Sequence, residues 1–272
     1  MSTERTAEEI HEIVRDRYGE IARKGQPIAG CCGPSAAEIA ERIGYSATET
    51  AAVPEGANLG LGCGAPLAAA ALRPGETVLD LGSGAGFDAF LAVGAVGPTG
   101  RVIGVDMTDD MLAKARANAE RAGHRNVEFR KGFIEALPVD AASVDVVISN
   151  CVINLTPDKA AVYREVARVL RPGGRMIVSD VVLDAPLPAA IVNDVNALVG
   201  CVAGAALRTE YLDAIRSAGL VDIEVLGDKG FGAVVLDMVP PAMRARAREL
   251  GIDVERTADT VRSLTIRARK PR

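Results

Sequence analysis

Thr77-Val78-Leu79-Asp80-Leu81-Gly82-Ser83-Gly84-Ala85-Gly86 is the stretch on which the fold turns. Its first five residues form a short apolar run of the kind buried in a parallel sheet, and Pro74-Gly75 before it is a turn signal. Glycines at alternate positions then permit a tight turn and a close backbone approach to a ligand. A helix is expected from about Phe87 to Val96. In an open α/β sheet such a turn lies at the carboxyl ends of the strands, where ligands bind. Taken alone, a G-x-G-x-G is also compatible with a plain strand-to-helix turn.

The pattern continues outward from this turn. Arg101–Asp106, Val127–Lys131, Val144–Ser149 and Arg175–Val182 read as further strands. Thr108 opens a helix with Asp109 and Asp110 in its first turn, where the helix dipole favours anions, and it ends near Gly123. Pro157–Leu170 is a second long helix, and Pro172-Gly173-Gly174 is a turn. Ala189–Ala205 and Thr209–Ala218 read as helical, and Val221–Leu226 and Val261–Ala268 as two closing strands in a hairpin-like edge. A charged helix is expected at Ala242–Leu250, after Pro240-Pro241. On the N-terminal side, residues 4–24 form an amphipathic helix, and residues 25–64 are irregular apart from a helix at Ser35–Ile43 capped by Ser35. Alternating strands and helices imply an α/β fold with a mostly parallel seven-stranded sheet, helices on both faces and an N-terminal helical lid segment. The expected division is an N-terminal cysteine-bearing segment at 1–72, a core at 73–226 and a C-terminal extension with its closing strand at 227–272.

The 272 residues are 49% hydrophobic and 25% charged, enough for a sizeable core in a soluble protein. A net charge of -5, with 3% aromatic residues and no Trp, argues against a nucleic-acid partner. No apolar run is long enough to span a membrane, and Met1–Arg17 lacks the apolar stretch of a signal peptide, so a cytoplasmic protein without membrane attachment is expected. Five cysteines then point to free thiols rather than a disulfide framework, and a monomer is the default expectation.

A nicotinamide dinucleotide is the obvious competitor for the glycine turn. Its fingerprint requires a glycine at the sixth position, which here is Phe87. An acidic residue, Asp80, instead stands two places before the first glycine. Gly104-Val105-Asp106-Met107 ends the second strand with a carboxylate where a ribose diol would sit; it accepts two hydroxyl hydrogen bonds and repels a 2′-phosphate. With DLGSGAG at 80–86, GVDM at 104–107, Gly132-Phe133-Ile134-Glu135-Ala136-Leu137-Pro138 and Leu170-Arg171-Pro172-Gly173-Gly174, residues 74–226 resemble the class I methyltransferases. The resemblance implies a Rossmann-like fold and S-adenosylmethionine held by Asp80, Gly82, Ser83, Gly84, Gly86, Asp106 and Met107. It further implies that Ile134 and Glu135 flank the adenine and that Asn150 lies near the methionine end. Phe133 stands where many members carry Asp, which leaves that adenine contact to the backbone or to Glu135.

Cys151 directly follows the fourth strand, Cys63 precedes the first, and Cys201 follows the fifth. This topology lets three thiols converge at the cofactor mouth, with the Cys31-Cys32 loop as a lid. A small buried hydrophobe is the plain alternative for each, Cys201 above all. Zinc is disfavoured, since its structural sites use paired ligands at short spacing, and His11 and His124 lie far from any cysteine in sequence. Gly30-Cys31-Cys32, NLGLGCGAP at 58–66, VLDLGSGAGFDAFLA at 78–92, VIGVDMTDDML at 102–112, SNCVINLTPDK at 149–159 and CVAGA at 201–205 resemble the arsenite methyltransferases, from about Tyr18 to Val225. The resemblance implies that Cys63, Cys151 and Cys201 bind trivalent arsenic as thiolates, that Cys31 or Cys32 receives or delivers it, and that a thiol reductant such as glutathione or thioredoxin is a co-substrate. A methyltransferase acting on a quinone or another organic acceptor, and a non-catalytic metalloid-binding protein, are the competing readings.

Overall fold

A computed structural model describes residues 5–25, 35–192, 201–238, 241–249 and 251–272. The expected pair Cys31 and Cys32 lies outside the described residues, as does the whole segment between Val192 and Cys201. The strands are β1 (Thr77–Leu81), β2 (Arg101–Asp106), β3 (Val127–Lys131), β4 (Val144–Asn150), β5 (Leu170–Leu183), β6 (Val221–Gly230) and β7 (Val261–Arg269). They form one seven-stranded sheet in the order β3-β2-β1-β4-β5-β7-β6. The ladders joining β1 to β5 are parallel, and β7 runs antiparallel to both β5 and β6. The sheet is thus mixed at one end, and the two closing strands pair antiparallel as expected. It is β7, though, that lies inside the sheet, and β6 forms its edge.

Side-chain alternation along the strands builds a core on each face. Val78, Val102, Val146, Ile148 and Ile177 meet α5 (Phe87–Val96) and α6 (Asp109–Ala122), while Leu79, Leu81, Ile103, Val147 and Val178 meet α7 (Lys159–Val169) and a C-terminal helix, α9 (Arg208–Ser217). The helices turn helical-period apolar stripes inward: Met111, Leu112, Ala115 and Ala119 on α6, and Val162, Tyr163, Val166 and Val169 on α7.

Several boundaries differ from the sequence expectation for local reasons. Helix α7 starts at Lys159 because the Asp158 carboxylate caps it, accepting from Ala161 N at 2.8 Å. Strand β5 begins at Leu170, since Leu170 already pairs with Val144. Helix α8 is described only over Ala189–Val192, and Cys201–Gly204 is a turn rather than the end of a long helix. The 25–64 region holds α2 (Ala36–Ile43), capped by Ser35 as expected, and an unexpected α3 (Ala47–Ala52), where Ser46 and Glu49 form a capping box. A short α4 (Pro66–Ala70) follows. Beyond β6 lie α10 (Gly232–Met238), α11 (Pro241–Glu249) and α12 (Val254–Asp259).

Helix α1 (Ala7–Lys24) lies across the carboxyl edge of the sheet. Arg23 pairs with Asp110 at the start of α6, and a Cβ on Gly19 would come within 2.9 Å of Asp110 Oδ2. At its other end His11 Nε2 is 2.9 Å from Glu135 Oε1, and the His11 ring stacks on Phe133 with centroids 4.6 Å apart. Among the described residues, no helix is long and apolar enough to cross a membrane.

Candidate functional site

Two half-sites adjoin at the carboxyl ends of β1, β2, β4 and β5. The first is the glycine turn. Gly82 has φ +62, and a Cβ there would fall 2.3 Å from Val152 Cγ2, so the close approach of these two segments requires glycine. Gly84 N donates to Asp106 Oδ2 at 2.9 Å and Thr108 N to Asp106 Oδ1 at 2.8 Å. Each Asp106 oxygen keeps a second lone pair for a ligand hydroxyl. Asp80 is 3% exposed, and its Oδ2 is buried with no hydrogen-bond partner.

Carboxylates crowd this turn. Burial pushes Asp80 well above the usual carboxylate range, and the charges of Asp88 and Asp106 push it further. Burial raises Asp88 to about 6, against hydrogen bonds from Tyr45 and Asn150 that hold it down. Burial also raises Asp106, opposed by the backbone N–H groups of Thr108 and Gly84. An orphaned buried acceptor amid mutually repelling carboxylates fits a cationic ligand. S-adenosylmethionine carries a sulfonium and an ammonium together with a ribose diol, so the donor and acceptor set matches it. Ile134 is buried beside this half-site, and Met107 packs among the residues around the cysteines. The Glu135 carboxylate is engaged by His11 of α1.

The second half-site is the thiol cluster. Cys63, Cys151 and Cys201 are all free and buried, and they belong to one apolar cluster with Val14, Leu155, Val181 and Val202. Cys201 Sγ donates to Cys151 O at 2.9 Å, Cys151 N donates to Ser179 O at 2.8 Å, and Cys63 Sγ lies 3.5 Å from Ser179 O. Cys151 and Cys201 have φ of 58° and 63°, a left-handed backbone that few non-glycine residues adopt and that gathers at functional sites.

Asn150 ties the Cys63 loop to β4. Its Oδ1 accepts from Cys63 N at 3.1 Å, and its Nδ2 donates to Gly64 O at 2.8 Å. Gly62, with φ +114, sits so close that a Cβ would meet the Asn150 amide at 2.9 Å. From β7, Ser263 Oγ donates to Cys63 O at 2.6 Å. Burial pushes the Cys63 thiol up to about 11. Cys151 is also raised: the Cys201 thiol pulls it down, but Cys63 and burial together outweigh that. Cys201 is raised by its hydrogen bond to Cys151 and by burial. All three are therefore thiols rather than thiolates near neutral pH.

Three further residues here are given no role by the sequence alone, although Lys159 closes the 149–159 motif. Asp180 on β5 places a carboxylate oxygen within 4.8 Å of Cys63 Sγ and Cys151 Sγ, and burial raises it to about 7. Lys159, at the start of α7, has its ammonium destabilised by burial and supported by the charges of Asp180, Cys201 and Glu135. Tyr18 of α1 shares a hydrogen bond with Cys201. Asp180 did leave a signal: a charged residue inside the apolar run Ile177–Leu183 must be partnered to be buried.

A methyltransferase-domain family model matches residues 72–219, more than half of the chain. The chain is 51% identical over 237 residues to an arsenite methyltransferase of Halobacterium salinarum, covering 83% of this chain and 61% of the relative. It is 38% identical over 229 residues to an arsenite methyltransferase of Aquipseudomonas alcaligenes, covering 81% and 64%. It thus spans about three fifths of the length of these two curated relatives. Among solved structures it resembles an arsenic (III) S-adenosylmethionine methyltransferase from Chlamydomonas reinhardtii, with a TM-score of 0.62 and 32% identity over 89% of this chain and 75% of that one. From the family model, these relatives and the sheet order, the chain belongs to the class I S-adenosylmethionine-dependent methyltransferases, in the arsenite methyltransferase family.

Proposed function

We propose that this protein transfers a methyl group from S-adenosylmethionine to trivalent arsenic held by Cys63, Cys151 and Cys201. The observation that carries the reading is the convergence of three buried free thiols, 50 to 138 residues apart in sequence, beside the glycine turn. Arsenite is a soft centre, and thiols are the soft ligands a protein can offer. Neutral arsenite matches protonated thiols: each thiol replaces one hydroxyl, its proton leaves with that hydroxyl as water, and no net charge is buried. Three sulfur ligands leave arsenic with a lone pair, so no general base is required.

S-adenosylmethionine supplies an electrophilic methyl on a sulfonium. The chain's own residues orient and exclude. Asp80, Gly82, Ser83, Gly84, Gly86, Asp106 and Met107 bind one half, with Ile134 and Glu135 at the adenine. Asn150 spans the two halves, since it holds the Cys63 loop and also contacts Asp88. Catalysis by positioning of this kind can supply on the order of 7–11 kcal/mol. Helix α1, reaching Glu135 with His11 and Cys201 with Tyr18, keeps water from both halves. Cys31 or Cys32 would deliver arsenic, and a thiol reductant such as glutathione or thioredoxin would return the site to its starting state in a cytoplasmic, reducing setting.

The test is an assay of the purified protein with arsenite, labelled S-adenosylmethionine and a thiol reductant. Labelled methylarsenical is the expected product. Label in an organic acceptor such as a quinone, with none on arsenic, would overturn the reading. Cys151→Ser and Cys201→Ser should each abolish arsenite methylation while cofactor binding persists, and wild-type turnover in either would remove that thiol from the site.

A further inference from the structure

Asp180 is 1% exposed near the carboxyl end of β5, with buried neighbours Ser179 and Val181 on either side. Its oxygens face only donors among their hydrogen-bond partners. Asn154 Nδ2 and Val181 N each donate to Oδ1 at 2.9 Å, and the Tyr211 hydroxyl donates to Oδ2 at 2.9 Å. Three donors set around one carboxyl group fix its position and favour its ionised form, against the burial that raises it to about 7. The same group reaches within 4.8 Å of Cys63 Sγ and Cys151 Sγ. The glycine-turn carboxylates act on one another, whereas the three thiols feel the charge of Asp180. The negative charge of the site is thus divided between a cofactor wall and an arsenic wall.

Methyl transfer to arsenic, the reading on which this inference rests, moves a charge without moving a proton. The arsenic lone pair forms the As–C bond as the S–C bond breaks. The electrons of that bond stay on sulfur as a neutral thioether, and the positive charge passes to arsenic, which is oxidised from the trivalent to the pentavalent state. We propose that Asp180 is the counter-charge for arsenic in this step, a buried carboxylate fixed within 4.8 Å of two of the sulfur ligands. A preorganised charge aimed at the point where opposite charge develops lowers the barrier without any reorganisation during the reaction. A neutral trithiolate arsenic gains little from it in the ground state, so Asp180 acts on the rate of transfer and not on arsenite affinity.

The experiment compares wild type with Asp180→Asn, which preserves size and removes charge. Single-turnover methyl transfer is followed in protein preloaded with arsenite, and arsenite affinity is measured separately without cofactor. The expected result is a fall in the transfer rate on the order of 100-fold, the scale of losing one preorganised electrostatic group, with arsenite affinity unchanged and part of the rate restored by Asp180→Glu. A wild-type transfer rate in Asp180→Asn would overturn the proposal, and so would a parallel loss of arsenite affinity, the mark of a structural role. Tyr211→Phe covers the case in which Asp180→Asn does not fold. Loosening one carboxylate oxygen should slow transfer several-fold at unchanged arsenite affinity, and a wild-type rate there would equally overturn the assignment. Absence of arsenic methylation by the wild type would overturn both readings, whereas an active wild type with an equally active Asp180→Asn overturns this one alone.

Discussion

Asp80, Asp88 and Asp106 are buried together around the glycine turn, and the burial that raises them predicts how the site responds to pH. The Asp88 carboxyl titrates near 6 in the folded protein, above its ordinary 3.8. A carboxyl raised in this way stabilises the cofactor-free protein fully below about 3.8, and that contribution is lost as pH rises through about 6. A bound sulfonium and ammonium reverse the balance, since they favour the ionised form. Affinity for S-adenosylmethionine should therefore climb as pH rises through about 6, measured by calorimetric titration, and Asp88→Asn should flatten the climb. A pH-independent affinity in the wild type would contradict this electrostatic account. The neutral product S-adenosylhomocysteine, which lacks the sulfonium charge, should show a shallower dependence. At this scale the cofactor side was legible, because glycines and acids at fixed spacing leave a pattern. For Asp180 only the need for partners was legible, because the partners themselves, Asn154, Val181 and Tyr211, are assembled by the fold.

The elements that carry the site are strand ends and the loops after them, and their geometry rests on close approaches. Gly62 is the clearest case: its left-handed backbone and the Asn150 amide within 2.9 Å of a would-be Cβ leave no room for alanine. Gly62→Ala should displace the Cys63 loop and cost on the order of 1–3 kcal/mol of stability in denaturant melts. Arsenite affinity should fall with it, while cofactor binding, which rests on the opposite wall, stays. Equal losses of both ligands would show that the two walls are not separable. The parallel strands β1, β2 and β4 were legible to within a residue because strands buried on both faces read as largely apolar runs. Element ends were less so. Helix α7 begins where Asp158 caps it, and α3 exists because Ser46 and Glu49 close a capping box, a signal present in the sequence but lost in a stretch rich in glycine and alanine. The place of β7 inside the sheet depends on pairings with β5 and β6, both distant in sequence and invisible to local pattern.

At the scale of the whole molecule, the three thiols belong to segments with little sequence in common: the loop before α4, the turn after β4 and the turn before α9. Ser263 of β7 adds a fourth segment through the Cys63 carbonyl. An arsenic atom bound to all three sulfurs would cross-link these segments across the same cluster that docks Val14 of α1. A ligand that binds only the folded arrangement stabilises it by mass action, by about 2.7 kcal/mol at a hundredfold excess over its dissociation constant. For a chain of this size that is a rise in Tm on the order of 5–10 °C. Scanning calorimetry with and without arsenite, under a reductant that does not itself chelate arsenic, measures it. Because no two of these thiols are neighbours in the chain, the unfolded protein offers arsenic no preformed trithiol, and the shift should vanish in Cys63→Ser as fully as in Cys201→Ser. A shift that survives both substitutions would mean that arsenic binds elsewhere. A shift lost only with Cys201→Ser would mean that Cys63 is held near the metalloid without ligating it, and the three-sulfur site would shrink to two.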